Sequence, residues 1–178
     1  MKLTANCVVM WLAMVTIANQ GKEATMKLSS PAFAEGQPIP TKFTCTGQDV
    51  SPALKWEGAS AGTKSFALIC DDPDAMSVAG KVWVHWVVWN IPATTSELPE
   101  DVSKSDAKLQ QGMTDFGRSG YGGPCPPPKH GVHHYHFKLY ALDAQLNLPD
   151  KATKKQLETA MKAHILAKAE LIGTFERK

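Results

Sequence analysis

The 178-residue chain lacks a dominant charge, a long apolar span and the cysteine pairs of redox enzymes. Lys+Arg number 19 against Asp+Glu 17, a net charge of +2. So balanced a chain cannot project the one-signed field with which nucleic-acid binders neutralise phosphates, and DNA or RNA is excluded as the main partner. No Cys-x-x-Cys occurs, so an attacking and resolving thiol pair is missing. Gly117-Arg118-Ser119-Gly120-Tyr121 fails as a nucleophile elbow, because Tyr121 stands where the second Gly belongs. The Gly-rich run through Gly122 and Gly123 fails as a phosphate loop, because Pro124 and more prolines follow it instead of a helix. No internal repeat is visible. What remains, at 43% hydrophobic and 20% charged, is the composition of one compact globular domain.

The mostly apolar stretch Cys7 to Ala18 falls short of the ~20 residues that span a bilayer. Lys2 is the one charge before Lys22, and Thr16-Ile17-Ala18 places small residues where a signal peptidase reads. Residues 1–18 are therefore expected to be a signal peptide, the domain to occupy 26–178, and the mature protein to be periplasmic or secreted with no transmembrane segment. Three cysteines then remain, enough for one internal bridge. Cys70 ends the apolar run Phe66-Ala67-Leu68-Ile69-Cys70 and reads as a small buried hydrophobe. Cys45 and Cys125 both lie beside turn formers, in TCTGQD and GGPCPPP. Their context favours a Cys45–Cys125 disulfide, although spacing alone leaves the connectivity open.

Short strands separated by Gly and Pro are expected at Met26 to Ser30, Lys42 to Cys45, Leu54 to Trp56 and Phe66 to Asp71. Val82 to Asn90 (VWVHWVVWN) is apolar on both faces and reads as a central strand, with Trp83, His85, Val87 and Trp89 on one face. His133 to Leu142 separates its histidines by parity. His133, Tyr135, Phe137, Leu139 and Ala141 share a core-like face, while His134, His136 and Lys138 share a wetter one. Thr153-Lys154-Lys155-Gln156 has capping-box spacing, and Leu157, Ala160, Met161, His164, Ile165, Ala169 and Ile172 continue it at helical period, with Gly173 as the stop.

Chemistry concentrates in Asp71-Asp72-Pro73-Asp74 after a strand, in His85 inside one, and in His133 with Tyr135 at the start of another. Carboxylates, imidazoles and a phenol at adjacent strand ends can hold a zwitterionic or phosphate-bearing ligand, bind Zn²⁺ or Mn²⁺, or run acid–base chemistry. His130-x-x-His133-His134-x-His136 adds to the metal reading, but parity points His133 away from His134 and His136.

The order SPALKW (51–56), DDPDAM (71–76), WVHWVVWNIP (83–92), GRSGYGGPCPPPKHGVHHYHFKLYALD (117–143) and AHILAKAELIGTFER (163–177) closely resembles the phosphatidylethanolamine-binding protein family, in its bacterial Raf kinase inhibitor-like branch. The resemblance covers nearly everything from Met26 to Arg177. It implies a mainly β fold, an antiparallel β-sandwich of a large and a small sheet with peripheral helices, including a C-terminal helix beside a small pocket. It implies further that the pocket binds phosphate, a carboxylate or a phosphoethanolamine headgroup. The matching positions are Asp72, Asp74, His85, the loop from Gly123 through Pro124, Pro126 and Pro127, and His133 with Tyr135.

Two departures stand out. Met76 replaces the Pro that closes the family's Asp-Pro-Asp-Ala-Pro, and His134 replaces the Arg of its Gly-x-His-Arg. The second change puts an imidazole, mostly neutral at neutral pH, in place of a permanent cation on the outer face, so an Arg contact there is expected to be lost or made pH-dependent. The resemblance implies a non-enzymatic binding module without a cofactor, acting on a kinase, a protease or another protein. It leaves the subunit number open, a homodimer included. The alternative from a different class is a metal-dependent hydrolase built on the same Asp and His residues.

Overall fold

A computed structural model describes residues 25–102 and 109–178; the expected signal peptide lies outside the described residues. Among the described residues the strands are β1 (Lys27–Ser29), β2 (Leu54–Glu57), β3 (Ser65–Asp72), β4 (Trp83–Pro92), β5 (Glu97–Leu98), β6 (Gln110–Gln111), β7 (Val132–Leu142) and β8 (Ile165–Glu176). The helices are α1 (Met76–Ala79) and α2 (Lys154–Met161), with a 3-10 turn at Thr41–Phe43. β1, β2 and β5 form a small sheet, and the order β6-β4-β3-β7-β8 forms a large one. The pairings within both are antiparallel. The expected two-sheet architecture is thus present. No helix among the described residues is long and apolar enough to cross a membrane.

Period-two patterning explains why the large sheet is covered on both sides. Phe66, Leu68 and Cys70 of β3, with Phe137 and Leu139 of β7, pack against Leu28 and Trp56 of the small sheet. Ala67 and Ile69, one residue out of phase, pack with Val87 and Trp89 against Leu157 and Met161 of α2. That second layer depends on the helix start. Thr153 accepts from the Gln156 N–H at 3.3 Å and donates its own N–H to Gln156 Oε1 at 2.9 Å, the expected capping box.

Three expectations are corrected. The Lys42 to Cys45 segment is a 3-10 turn rather than a strand, because the Phe43 N–H turns back to the Pro40 carbonyl and Thr44 Oγ1 donates to the Thr41 carbonyl. The C-terminal helix ends at Met161; His164 of its supposed stripe lies in the following turn, and Ile165, Ala169 and Ile172 lie in β8, paired with β7 from Val132 to Leu142. An edge that long, running beside a buried face, must find backbone partners, and this outweighs the helix propensity of Ala167 and Ala169. Gly173 is therefore no helix stop. It sits mid-strand, where a Cβ would come within 2.5 Å of Ile39 and 2.7 Å of Phe33.

The third correction concerns β4. Cys70 pairs with Trp86, but the next β3 residue, Asp71, pairs with Val84, so β4 carries one extra residue at His85. A bulge of this kind resets the alternation. Val84 consequently packs in the α2 layer beside Val87. His85 is delivered to the face of Trp86 and Tyr135, not to the face of Val87 and Trp89 that strict parity assigns it.

Candidate functional site

The β3–α1 turn, the bulged start of β4, the start of β7 and the Gly117–Lys129 loop meet at one end of the large sheet. They enclose a cavity of about 250 Å³ lined by Asp72, His85, His133, Trp83 and Phe116, together with Ala75, Val78 and Ala79 from α1 and its lead-in, and with Cys125, Pro126 and Pro127. The floor is polar and the walls are apolar. Asp72 and His133 are buried, and His133 Nδ1 donates to Asp72 Oδ2 at 2.7 Å. The other carboxylate oxygen of Asp72 accepts the Ala75 N–H at 3.2 Å, which seats α1 over the floor. His133 Nε2 lies 2.9 Å from Nδ1 of the exposed His130.

His85 is held by the loop. Its Nδ1 donates to the Gly122 carbonyl at 2.7 Å, the Gly122 N–H returns to the His85 carbonyl at 2.9 Å, and the ring stacks edge-on with Tyr135 and Phe116. Burial drives the His85 pKa below its ordinary value, against the opposing pull of the Gly122 carbonyl and the Asp72 charge. The ring is thus neutral at neutral pH. Asp115 stiffens the bulge by accepting the Val84 N–H at 2.7 Å and the Lys81 ammonium at 2.6 Å.

The remaining expected site residues are placed differently from one another. Asp74 does not line the cavity: its carboxylate accepts the His134 N–H and meets His134 Nδ1, both at 2.8 Å, beside a shallower depression that also involves His130, His133 and Met76. Burial pushes the Asp74 pKa up, but the hydrogen bonds and charge of His134 outweigh it and hold the carboxyl below its usual value. The acidic partner of His134, which stands in the place of that Arg, is therefore Asp74. Gly123 and Pro124 lie behind the cavity and seat its wall. The Gly123 N–H donates to Asp49 at 2.6 Å, a Cβ there would come 2.3 Å from the Phe43 carbonyl oxygen, and the Pro124 carbonyl accepts from the Cys45 N–H. The expected Cys45–Cys125 disulfide is present, with Cα atoms 5.4 Å apart, and Cys70 is a buried free thiol.

Tyr135 is fully buried, and its hydroxyl has no hydrogen-bond partner among the described residues. Burial, with the Asp72 charge adding to it, pushes the phenol pKa well up, so the group stays an O–H. An unmatched buried hydroxyl costs about 1–3 kcal/mol. Tyr135→Phe is therefore expected to stabilise the protein by about 1 kcal/mol in urea unfolding; a lowered midpoint would show that the hydroxyl is satisfied.

Phe116, Trp83 and the α1 residues escaped sequence reasoning. Phe116 and the α1 residues are apolar residues beside turn formers, and Trp83 reads as one more apolar residue of the central strand, so pattern alone does not separate them from core. His130 was visible as part of a histidine run but not as the partner of His133. Val78 and Phe116 at the cavity, with Met76 and Val132 at the outer depression, are four of the five large hydrophobics exposed at the surface of the described residues.

These features define a class, the two-sheet β-sandwich with a polar-floored cavity at the end of its large sheet. A family model described as phosphatidylethanolamine-binding protein matches residues 29–176, and the chain belongs to that family. UPF0098 protein PH1269 of Pyrococcus horikoshii is 47% identical over 172 residues, covering 94% of this chain and 84% of its own. A UPF0098 protein of Aquifex aeolicus is 48% identical over 157 residues, covering 86% and 90%. Among solved structures, Escherichia coli YbcL, described as a member of the mammalian PEBP family, superposes with a TM-score of 0.80 at 36% identity, over 87% of this chain and all of its own. The homologue CT736 of Chlamydia trachomatis gives 0.79 at 39%, over 87% and 99%.

Proposed function

We propose that this protein is an exported, non-enzymatic binding module that holds a small oxyanion, a phosphate-bearing or carboxylate ligand, in the end-on cavity, and through it modulates a partner protein. The observation that carries the reading is the cavity itself, whose buried Asp72, His85 and His133 lie beneath apolar walls. Such a site excludes water around a few fixed polar groups, the usual construction of a small-molecule pocket. The disulfide supports export, because such bridges persist in oxidising compartments. The metal-dependent hydrolase finds no support. Among the described residues no three His, Cys, Asp or Glu side chains converge to hold an ion.

Isothermal titration with inorganic phosphate and acetate tests the reading. Wild-type protein is expected to bind at least one of them, and His133→Ala to weaken that binding by about tenfold or more, the effect of losing one buried charge-linked contact. Equal binding by the folded His133→Ala protein would remove the cavity from the function.

A further inference from the structure

The histidine run at the start of β7 holds a second cluster, outside the cavity. His133 is committed to Asp72 and His130. His134 and His136 face the other way. Two residues apart on one strand, they project from the face of β7 opposite to that of His133 and Tyr135. His134 is exposed and His136 partly so.

A carboxylate grips each ring at Nδ1. His134 Nδ1 meets Asp74 Oδ2 at 2.8 Å, and His136 Nδ1 meets Glu170 Oε1 at 2.7 Å. An ionised carboxylate only accepts, so Nδ1 carries the N–H and Nε2 of the neutral ring keeps its lone pair. Neither Nε2 has a partner among the described residues. This is the form in which histidine ligates metal ions: the carboxylate behind the ring fixes its tautomer and orientation and makes the free nitrogen a stronger donor.

The two grips come from opposite flanks. Asp74 lies in the turn after β3 and Glu170 on β8, and β3 and β8 are the neighbours of β7 on either side. The two nitrogens of an imidazole face away from each other, so each carboxylate turns the free Nε2 back over β7, toward the other ring. The strand positions are about 7 Å apart. Rings leaning together over that gap can each set Nε2 at the ~2.0–2.1 Å that a shared ion requires. The charges suit a divalent cation as well, because the two carboxylates balance it. Lys138, the next side chain on this face, is already bound to Asp71 at 2.7 Å.

We propose that His134 and His136 form an exposed two-imidazole site for a late first-row divalent metal ion, Cu²⁺ most tightly and Ni²⁺ or Zn²⁺ less so, with Asp74 and Glu170 as the positioning residues. The remaining coordination positions belong to water, in keeping with the lack of any three converging ligands among the described residues. The site depends on the departure at position 134: with the Arg of the family's Gly-x-His-Arg there, His136 would stand alone beside a permanent cation. His164 provides an internal comparison. Its Nδ1 meets Asp143 Oδ1 at 2.8 Å and it is partly exposed, but no second histidine stands two residues away.

Untagged protein is titrated with Cu²⁺ at about pH 7.5, above the ordinary imidazole pKa. A competing chelator reads the affinity, and electron paramagnetic resonance at substoichiometric copper reads the nitrogen donors. Wild type is expected to hold one ion through two imidazole nitrogens. His134→Arg and His136→Gln are each expected to weaken binding by about 100-fold, the loss of a second ligand that binds intramolecularly. His164→Gln is expected to change nothing. Asp74→Asn should weaken binding by about tenfold with the two-nitrogen spectrum retained; unchanged affinity there overturns the role of Asp74. Copper held as tightly by the folded His134→Arg protein as by wild type, or through a single imidazole nitrogen in wild type, overturns the site. A loss in His164→Gln as large as in His134→Arg overturns the pairing of His134 with His136.

Discussion

Removing the Cys45–Cys125 bridge is expected to lower the stability of the domain by about 4 kcal/mol, the loop-closure entropy that a cross-link over this length withholds from the unfolded chain. The two cysteines are 80 residues apart in sequence, and the segment between them contains β2 to β6, most of the core of both sheets. In the reduced chain that whole span is free to separate in the denatured ensemble. Native contacts at the junction offset part of the loss. The Cys45 N–H still reaches the Pro124 carbonyl at 3.1 Å, the Tyr121 hydroxyl still donates to the Phe43 carbonyl at 3.0 Å, and Arg118 still bridges Asp49 and the Tyr121 carbonyl. The cavity wall is thus expected to persist in the reduced native state while global stability falls. Urea unfolding of a Cys45→Ala/Cys125→Ala variant, with buried Cys70 intact, measures this directly. An unchanged midpoint and slope would mean that the bridge does not constrain the unfolded chain.

What could be read from the sequence followed from patterns that a single element satisfies by itself. β4 and β7 are long, alternate cleanly or are apolar throughout, and were legible as strands. The capping box was legible because Thr153 and Gln156 complete it locally. β8 was not, because Ala167, Lys168, Ala169 and Glu170 suit a helix equally well, and only the unpaired edge of β7 decides between the two. The same division runs through the site. His85 and His133 stood out as ionisable groups on apolar faces and Asp72 as part of an acidic turn that follows a strand, and the three do converge on one cavity.

The way His85 gets there was hidden, since a bulge is a relation between two strands and leaves little trace in either. Asp74 looked equivalent to Asp72, two residues away. The turn between them sends one carboxylate to buried His133 and the other to exposed His134. Polar residues in a turn carry no parity, so their direction could not be read from spacing. That divergence also limits what the replacement of Arg by His134 can do. It acts on Asp74 and the outer depression, while the donor and acceptor set of the cavity floor stays in place.

The neighbouring carboxylate provides the second large effect. Asp71 points to the opposite face from Asp72, is wholly buried, and accepts the Lys138 ammonium at 2.7 Å and the Lys154 ammonium at 2.5 Å. It thereby fastens β3 to β7 and both to the first turn of α2. Asp71→Ala leaves two ammonium groups facing each other over an apolar layer, and removing one partner of a buried pair costs about 3–5 kcal/mol. The lower end applies here, about 3 kcal/mol, because the lysine side chains are 31% and 20% exposed and can reach solvent. Lys154→Met should cost only about 1 kcal/mol, because Lys138 still neutralises the carboxylate. Replacing all three by apolar residues of similar volume should come within about 1 kcal/mol of wild type, since desolvating the charges roughly cancels their attraction. Urea unfolding of the three variants measures the order. If Asp71→Ala proved no more damaging than Lys154→Met, the carboxylate would not be the centre of the clamp. If the triple replacement were as damaging as Asp71→Ala, the ion cluster would contribute net stability and not merely fix how β3, β7 and α2 fit together.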